Sequence, residues 1–154
     1  MTANDHKLLR MRKINFIILH CSCVKPNQQS SAADINRWHK ERGWKGIGYH
    51  ALVRRDGTIE YGRRLDEVGA HCKGHNKYSI GICYEGGLDS AGEPADTRTP
   101  EQVKVLRELV ERMHAYFPHA VIVGHRDLTH DRDCPCFDAV AEYKKLQPKL
   151  KSEE

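Results

Sequence analysis

The run INFIILH, residues Ile14 to His20, is the stretch on which the fold turns. It is β-branched and aromatic, of strand length, and apolar on both faces toward its end. A strand covered on both sides by helices reads that way, whereas a strand with one wet face alternates. A second such run, AVIVGH at Ala120 to His125, stands toward the other end of the chain. Both end in histidine. In open α/β sheets, sites gather at the carboxyl ends of strands, where loops vary while the strands fix position. If these two strands are parallel neighbours, His20 and His125 project from one rim.

Working outward, Ser31 with Asp34 predicts a capping box opening a helix through Arg42, with Ile35 and Trp38 inward and Gly43 ending it. YHALVRR and TIEYG predict two strands joined at Asp56-Gly57, a strong hairpin signal. A Gly- and His-rich loop follows, Gly69 to Lys77, and SIGICYE, Ser79 to Glu85, alternates as a further strand. Thr99-Pro100-Glu101-Gln102 opens a second helix, with Val103, Leu106, Val110, Met113 and Phe117 on one face and Pro118 as its stop. Asp138 to Leu146 reads as a last short helix. Strands separated by helices, with one hairpin, imply an α/β single domain: a central mixed β-sheet flanked by helices. The boundaries expected are a polar arm over 1–13, with at most one turn of helix, the domain over 14–148 and a polar tail over 149–154.

The chain has 154 residues, enough for one core without disulfide staples. Its 25 Lys and Arg against 21 Asp and Glu give +4, but the basic residues are scattered, so no nucleic acid partner is expected. No apolar run approaches a membrane span, so no membrane partner is expected either. The start, MTANDHKLLRMRK, lacks the apolar segment of a secretory signal, and the expected location as synthesised is cytoplasmic. Six cysteines and ten histidines are more telling. Cys21 with Cys23, and Cys134 with Cys136, are C-x-C pairs too close in sequence to bridge comfortably. In a reducing cytosol such residues are metal ligands, catalytic groups or small buried hydrophobes.

Cys134 follows His125 on a loop long enough to fold back. His20, His125 and Cys134 together would leave a fourth position open for water, as catalytic rather than structural zinc sites do. On spacing alone, a metal site and two hydrogen-bonded strand-end histidines stand as equal alternatives.

The motifs FIILHCS, WHKERGW, GYHALVRRDGTIEYGR, VGAHCKGHN, SIGICYEGG, TPEQ and GHRDL…DCPCFD run in order from about Phe16 to Asp138. In this the chain resembles the type 2 N-acetylmuramoyl-L-alanine amidases, zinc amidases of phage lysozymes related to the peptidoglycan-recognition proteins. The resemblance implies hydrolysis of the amide between N-acetylmuramic acid and L-alanine in peptidoglycan, with one Zn2+ held by His20, His125 and Cys134. It places the family's catalytic tyrosine on Tyr49 and the family's lysine on Arg132. The latter is a departure: arginine keeps the charge and can donate to an oxyanion, but it is a fork and does not give up its proton. Cys136 competes with Cys134 as ligand; the family position favours Cys134, leaving Cys136 as a buried thiol and Cys21 and Cys23 in packing roles.

Two further residues are candidates for substrate binding. His71 corresponds to a histidine near the family's cleft and either contacts substrate or bonds a loop carbonyl. Glu85, before Gly86-Gly87, either accepts from a substrate amide or sits in an exposed turn. His50 is expected to point into the sheet's packing. The resemblance also implies a monomer acting on the cell wall after release, as a phage or prophage lysis enzyme. The alternative is a non-catalytic peptidoglycan-binding module; such relatives lose the cysteine ligand, and Cys134 is present. A polymerase-regulating interaction protein has no identifiable surface in the sequence, and a zinc nuclease would need basic stripes and paired carboxylates.

Overall fold

The computed structural model describes residues 12–149. Of the expected polar arm and tail, 1–11 and 150–154 lie outside the described residues. The elements are β1 (Phe16–Cys21), α1 (Ala32–Glu41), β2 (Ala51–Val53), β3 (Ile59–Tyr61), β4 (Ser79–Tyr84), α2 (Pro100–Tyr116), β5 (Val121–Gly124), α3 (His125–Leu128) and α4 (Ala139–Glu142). Short 3-10 turns occupy Asn76–Tyr78 and Lys144–Leu146. The strands form one sheet in the order β3-β2-β4-β1-β5. All neighbours are parallel except the β2–β3 hairpin, so the sheet is mixed, as the sequence implies.

The two helix starts follow from their boxes. Ser31 Oγ accepts from the Asp34 amide at 3.1 Å, and the Asp34 carboxylate accepts from the Ser31 amide at 3.0 Å. Thr99 and Gln102 do the same for α2, at 3.1 and 3.0 Å. Each box satisfies two amides that the helix leaves unpaired. At the hairpin, Gly57 takes φ +88°, a conformation that costs glycine little.

Side chains alternate across β1, and the alternation decides where a site can form. Ile17, Leu19 and Cys21 face α2, joining Ile80, Ile82, Leu106, Leu109, Val110, Met113 and Ile122 in the main core. Each such aliphatic side chain contributes about 1.5–3 kcal/mol by leaving water. Ile18 and His20 face the other way, where only two small clusters form, around Ile18 with Val123 and around Ile35 with Leu52. One face is filled; the other is left partly open above His20.

Three expectations shift. Ser79–Tyr84 is buried at every position rather than alternating, because it lies between β1 and β2 with both faces covered. On α2, Leu109 turns inward and Val103 is 39% exposed. The last helix is a single α turn followed by a 3-10 turn. Among the described residues no helix is long and apolar enough to cross a membrane.

Candidate metal centre

Leu19 pairs with Gly124 across the parallel β1–β5 ladder, so the next residues, His20 and His125, leave the sheet side by side. His20 is still in β1, whereas His125 is the first residue of α3 rather than the end of β5. Their ring centroids are 4.7 Å apart. Cys134 reaches them because its loop is pinned at three points. The Arg126 amide donates to Cys134 O at 2.7 Å, the Tyr84 hydroxyl donates to Pro135 O at 2.7 Å, and the Cys21 amide donates to Cys134 Sγ at 3.2 Å.

One atom each from His20, His125 and Cys134 lies within 4.8 Å of the others, and His20 Nδ1 stands 3.9 Å from Cys134 Sγ. Zinc bound tetrahedrally would set such a nitrogen and sulfur about 3.5 Å apart. That pair is within a few tenths of an ångström of the separation a shared ion needs, and the three ligand atoms together are close enough to hold a single metal ion. The charge balance fits too. A hydrogen bond from Cys21 drives the Cys134 thiol down to about 2 against its burial, with His125 and His20 assisting. His125 is drawn up to about 9: burial opposes the charge, and the sulfurs of Cys134 and Cys72 outweigh it. A pocket that stabilises a sulfur anion facing positive charge is suited to a cation. Cys136, the rival ligand, instead directs its sulfur to Gly87 O at 3.4 Å.

His20 has one nitrogen left for support. Its Nε2 lies 2.8 Å from His71 Nδ1, and His71 Nε2 lies 3.3 Å from Ser79 Oγ. Burial holds both imidazoles down, His71 well below the usual range, so both are neutral. With Nδ1 of His20 turned to the metal position, its Nε2–H donates to His71, and the His71 Nε2–H donates to Ser79. Such outer partners fix a ligand's tautomer and orientation. Gly81 lies under this relay, where an added Cβ would come within 2.7 Å of the His71 ring. Ser79 carries no signal in the sequence that would have singled it out.

Tyr49 packs beside His20, ring centroids 5.1 Å apart. Backbone bonds from Arg63 to Tyr49 O and from Gly62 to His50 O hold its segment beside β3. Burial pushes its phenol well up, so it keeps its proton. His50, next in line, points into the packing as expected, accepting from the Gly81 amide and bonding Glu67 O.

His20, His125, Cys134, His71 and Tyr49 line a cleft of about 620 Å3. Arg132, Arg42 and Lys73 border it together with Trp38, Trp44 and Asn76, and its lining includes no carboxylate. Arg42, Lys73 and Asn76 were not picked out from the sequence, since nothing in their local pattern separates them from other surface polar residues. Glu85 requires correction. It is neither in this cleft nor in an exposed turn: its carboxylate is buried, accepting from the Ser30 amide at 2.6 Å, the Arg55 amide at 3.0 Å and Arg54 Nε at 3.0 Å. With its oxygens so engaged, it serves the fold rather than a ligand. A second cavity, of about 510 Å3, lies beside Leu109 and Met113 of α2 and holds none of the three ligands.

The family description N-acetylmuramoyl-L-alanine amidase matches residues 10–137. The endolysin of Enterobacteria phage K11 is 43% identical over 120 residues, covering 78% of this chain and 79% of that protein. Among solved structures, the endolysin N-acetylmuramoyl-L-alanine amidase LysCS from Clostridium intestinale superposes with a TM-score of 0.75 at 30% identity, covering 90% of this chain and 87% of that one. The complex of peptidoglycan recognition proteins LCa and LCx with bound tracheal cytotoxin matches at a TM-score of 0.68 and 26% identity, covering 87% and 82% of the two chains.

Proposed function

The chain belongs to the N-acetylmuramoyl-L-alanine amidase family, and from that premise we propose that it cleaves bacterial peptidoglycan as a zinc-dependent lysis enzyme of the endolysin kind. The bond broken is the amide between the lactyl group of N-acetylmuramic acid and L-alanine. The observation that carries this reading is the convergence of His20, His125 and Cys134 within 4.8 Å at the mouth of the cleft.

His20, His125 and Cys134 would hold a zinc ion, which would supply Lewis acidity and a water acidic enough to act as a nucleophile near neutral pH. The protein's own groups do the rest. Tyr49, protonated, orients the attacking water through its hydroxyl. Arg132, in the cleft lining, donates to the oxyanion that develops on the carbonyl oxygen. His71 holds the His20 ring in the tautomer that presents Nδ1. Water adds to the carbonyl carbon, the carbon–nitrogen bond breaks, and a proton goes to the departing alanine amine. The cationic, carboxylate-free cleft suits a stem peptide bearing carboxylates, with the chain working as a monomer on the wall after release and engaging neither nucleic acid nor membrane.

The test is mass spectrometry of purified peptidoglycan after digestion. Stem peptides with a free L-alanine amine are expected, their release stopped by a chelator and restored by zinc. Sedimentation of the protein with the wall, without any such peptide, would instead establish a binding module.

A further inference from the structure

Beside the metal ligands stands a group of thiols that metal binding does not use. Cys21 Sγ lies 3.6 Å from Cys23 Sγ and 4.0 Å from Cys136 Sγ. Cys21 comes from the end of β1, directly after ligand His20, and Cys136 from the loop that carries ligand Cys134. Among the described residues, the only non-glycine positions at positive φ are Cys23, at 58°, and Cys136, at 68°. Residues other than Gly, Asn and Asp seldom adopt that conformation. Both exceptions fall on the two cysteines that surround Cys21. Gly87 makes the space: a Cβ there would lie 2.5 Å from Cys21 Sγ.

We propose that Cys21 and Cys136 are a disulfide-forming pair, open in a reducing compartment and closed in an oxidising one, that staples β1 to the loop bearing Cys134. Cys136 is preferred over Cys23 as the partner of Cys21. The amides of Ser22 and Val24 are tied to Tyr84 O and Gly86 O, which fixes the backbone on both sides of Cys23 against the rearrangement that closing a small Cys21–Cys23 ring would need. Cys136 is half-buried and Cys23 exposed, so either can meet an incoming reagent, while Cys21 is buried; the fixed backbone around Cys23, not access, sets the preference for Cys136.

The chemistry is thiol–disulfide exchange with a small-molecule disulfide such as oxidised glutathione. Cys136 attacks one glutathione sulfur, forming a mixed disulfide and releasing one glutathione thiol. Cys21 then attacks the Cys136 sulfur, forming the internal bond and releasing the second. Two protein thiols are oxidised, one glutathione disulfide is reduced, and both thiol protons leave on glutathione. The biological setting rests on the proposed function: a lysis enzyme is made where thiols stay reduced and works where they oxidise. The two segments joined are those that present His20 and Cys134, so the bond would hold the ligand geometry after release.

The experiment uses the full chain loaded with equimolar zinc, incubated with oxidised glutathione, alkylated and digested for peptide mapping. Two of the six thiols should disappear, and a linked Cys21–Cys136 peptide pair should be the main product. It should form also in a Cys23→Ser chain and be absent from a Cys136→Ser chain, which also migrates more slowly than the bridged protein on a non-reducing gel. Six surviving thiols, a Cys21–Cys23 ring, a bridge through Cys134, or glutathione left on Cys136 would each overturn the assignment. Mapping needs no cell wall and no turnover. An amidase without the bridge, or a bridge in a chain that cleaves nothing, therefore separates failure of this proposal from failure of the functional one.

Discussion

Replacing Glu85 by alanine separates a role in the fold from a role in the substrate cleft. The side chain is 3% exposed and accepts from two backbone amides, those of Ser30 and Arg55, and from Arg54 Nε at 3.0 Å. Arg54 keeps a second partner, Glu60 at 3.6 Å, and is partly open to water, so losing Glu85 does not strand a buried cation. The main loss is therefore at the amides. Ser30 is fully buried, and its N–H would have no acceptor. An unsatisfied buried donor costs about 1–3 kcal/mol, and a hydrogen bond to a charged group contributes about 1.5–3 kcal/mol. Together these give a destabilisation of about 3 kcal/mol, which for a domain of this size lowers Tm by about 6–12 °C. Thermal unfolding followed by circular dichroism reads the shift, and amidase assays well below Tm read KM. The expected result is a large fall in Tm with KM unchanged. An unchanged Tm with a raised KM would mean that Glu85 holds substrate and that the correction made from its hydrogen bonds is mistaken.

Other outcomes follow from the same geometry. Cys134→Ser should lose both bound metal and cleavage, read by metal analysis and by peptide release; a fully active variant would remove Cys134 from the site. His71→Ala should weaken zinc binding by about 10–100-fold in a chelator competition, whereas unchanged affinity would mean that the His20–His71 contact orients nothing. Burial holds His50 at about 4 in the folded chain, below the roughly 6.5 of a free imidazole. The unfolded chain thus binds a proton that the folded one refuses between those values. The stability from His50 is complete above about pH 6.5 and falls by about 2 kcal/mol between pH 7 and pH 5. Urea unfolding at the two pH values checks this, and equal stability at both would refute it.

Much of the fold could be read because local signals and tertiary demands agree. The boxes at Ser31 and Thr99 start the helices where their hydrogen bonds form, and the apolar runs ending in His20 and His125 are the two strands that place the ligands. The alternation read into SIGICYE came from Gly81 and the small neighbours of its isoleucines. Gly81 is there to pass under the His71 ring, not to mark a wet face. Spacing offered Cys134 as a ligand only on equal terms with a site of two hydrogen-bonded histidines, since the contacts that fold its loop back come from Tyr84, Cys21 and Arg126; the family resemblance favoured it. Glu85 was misread for a related reason. A carboxylate after a strand looks like a turn residue until Arg54, Arg55 and Ser30 meet it in space, and that meeting leaves no periodic trace in the sequence. Tyr49 beside His20 was legible through the GYH motif, while Ser79 behind His71 had no motif at all.

X-ray absorption at the zinc edge, on the metal-loaded protein, tests the centre most directly. Two nitrogen scatterers at about 2.0–2.1 Å and one sulfur at about 2.3 Å are expected, with a lighter atom completing the shell. The sulfur should vanish in Cys134→Ser and persist in Cys136→Ser. A shell without sulfur, or one whose sulfur survives loss of Cys134, would contradict the assignment of His20, His125 and Cys134 as the ligands.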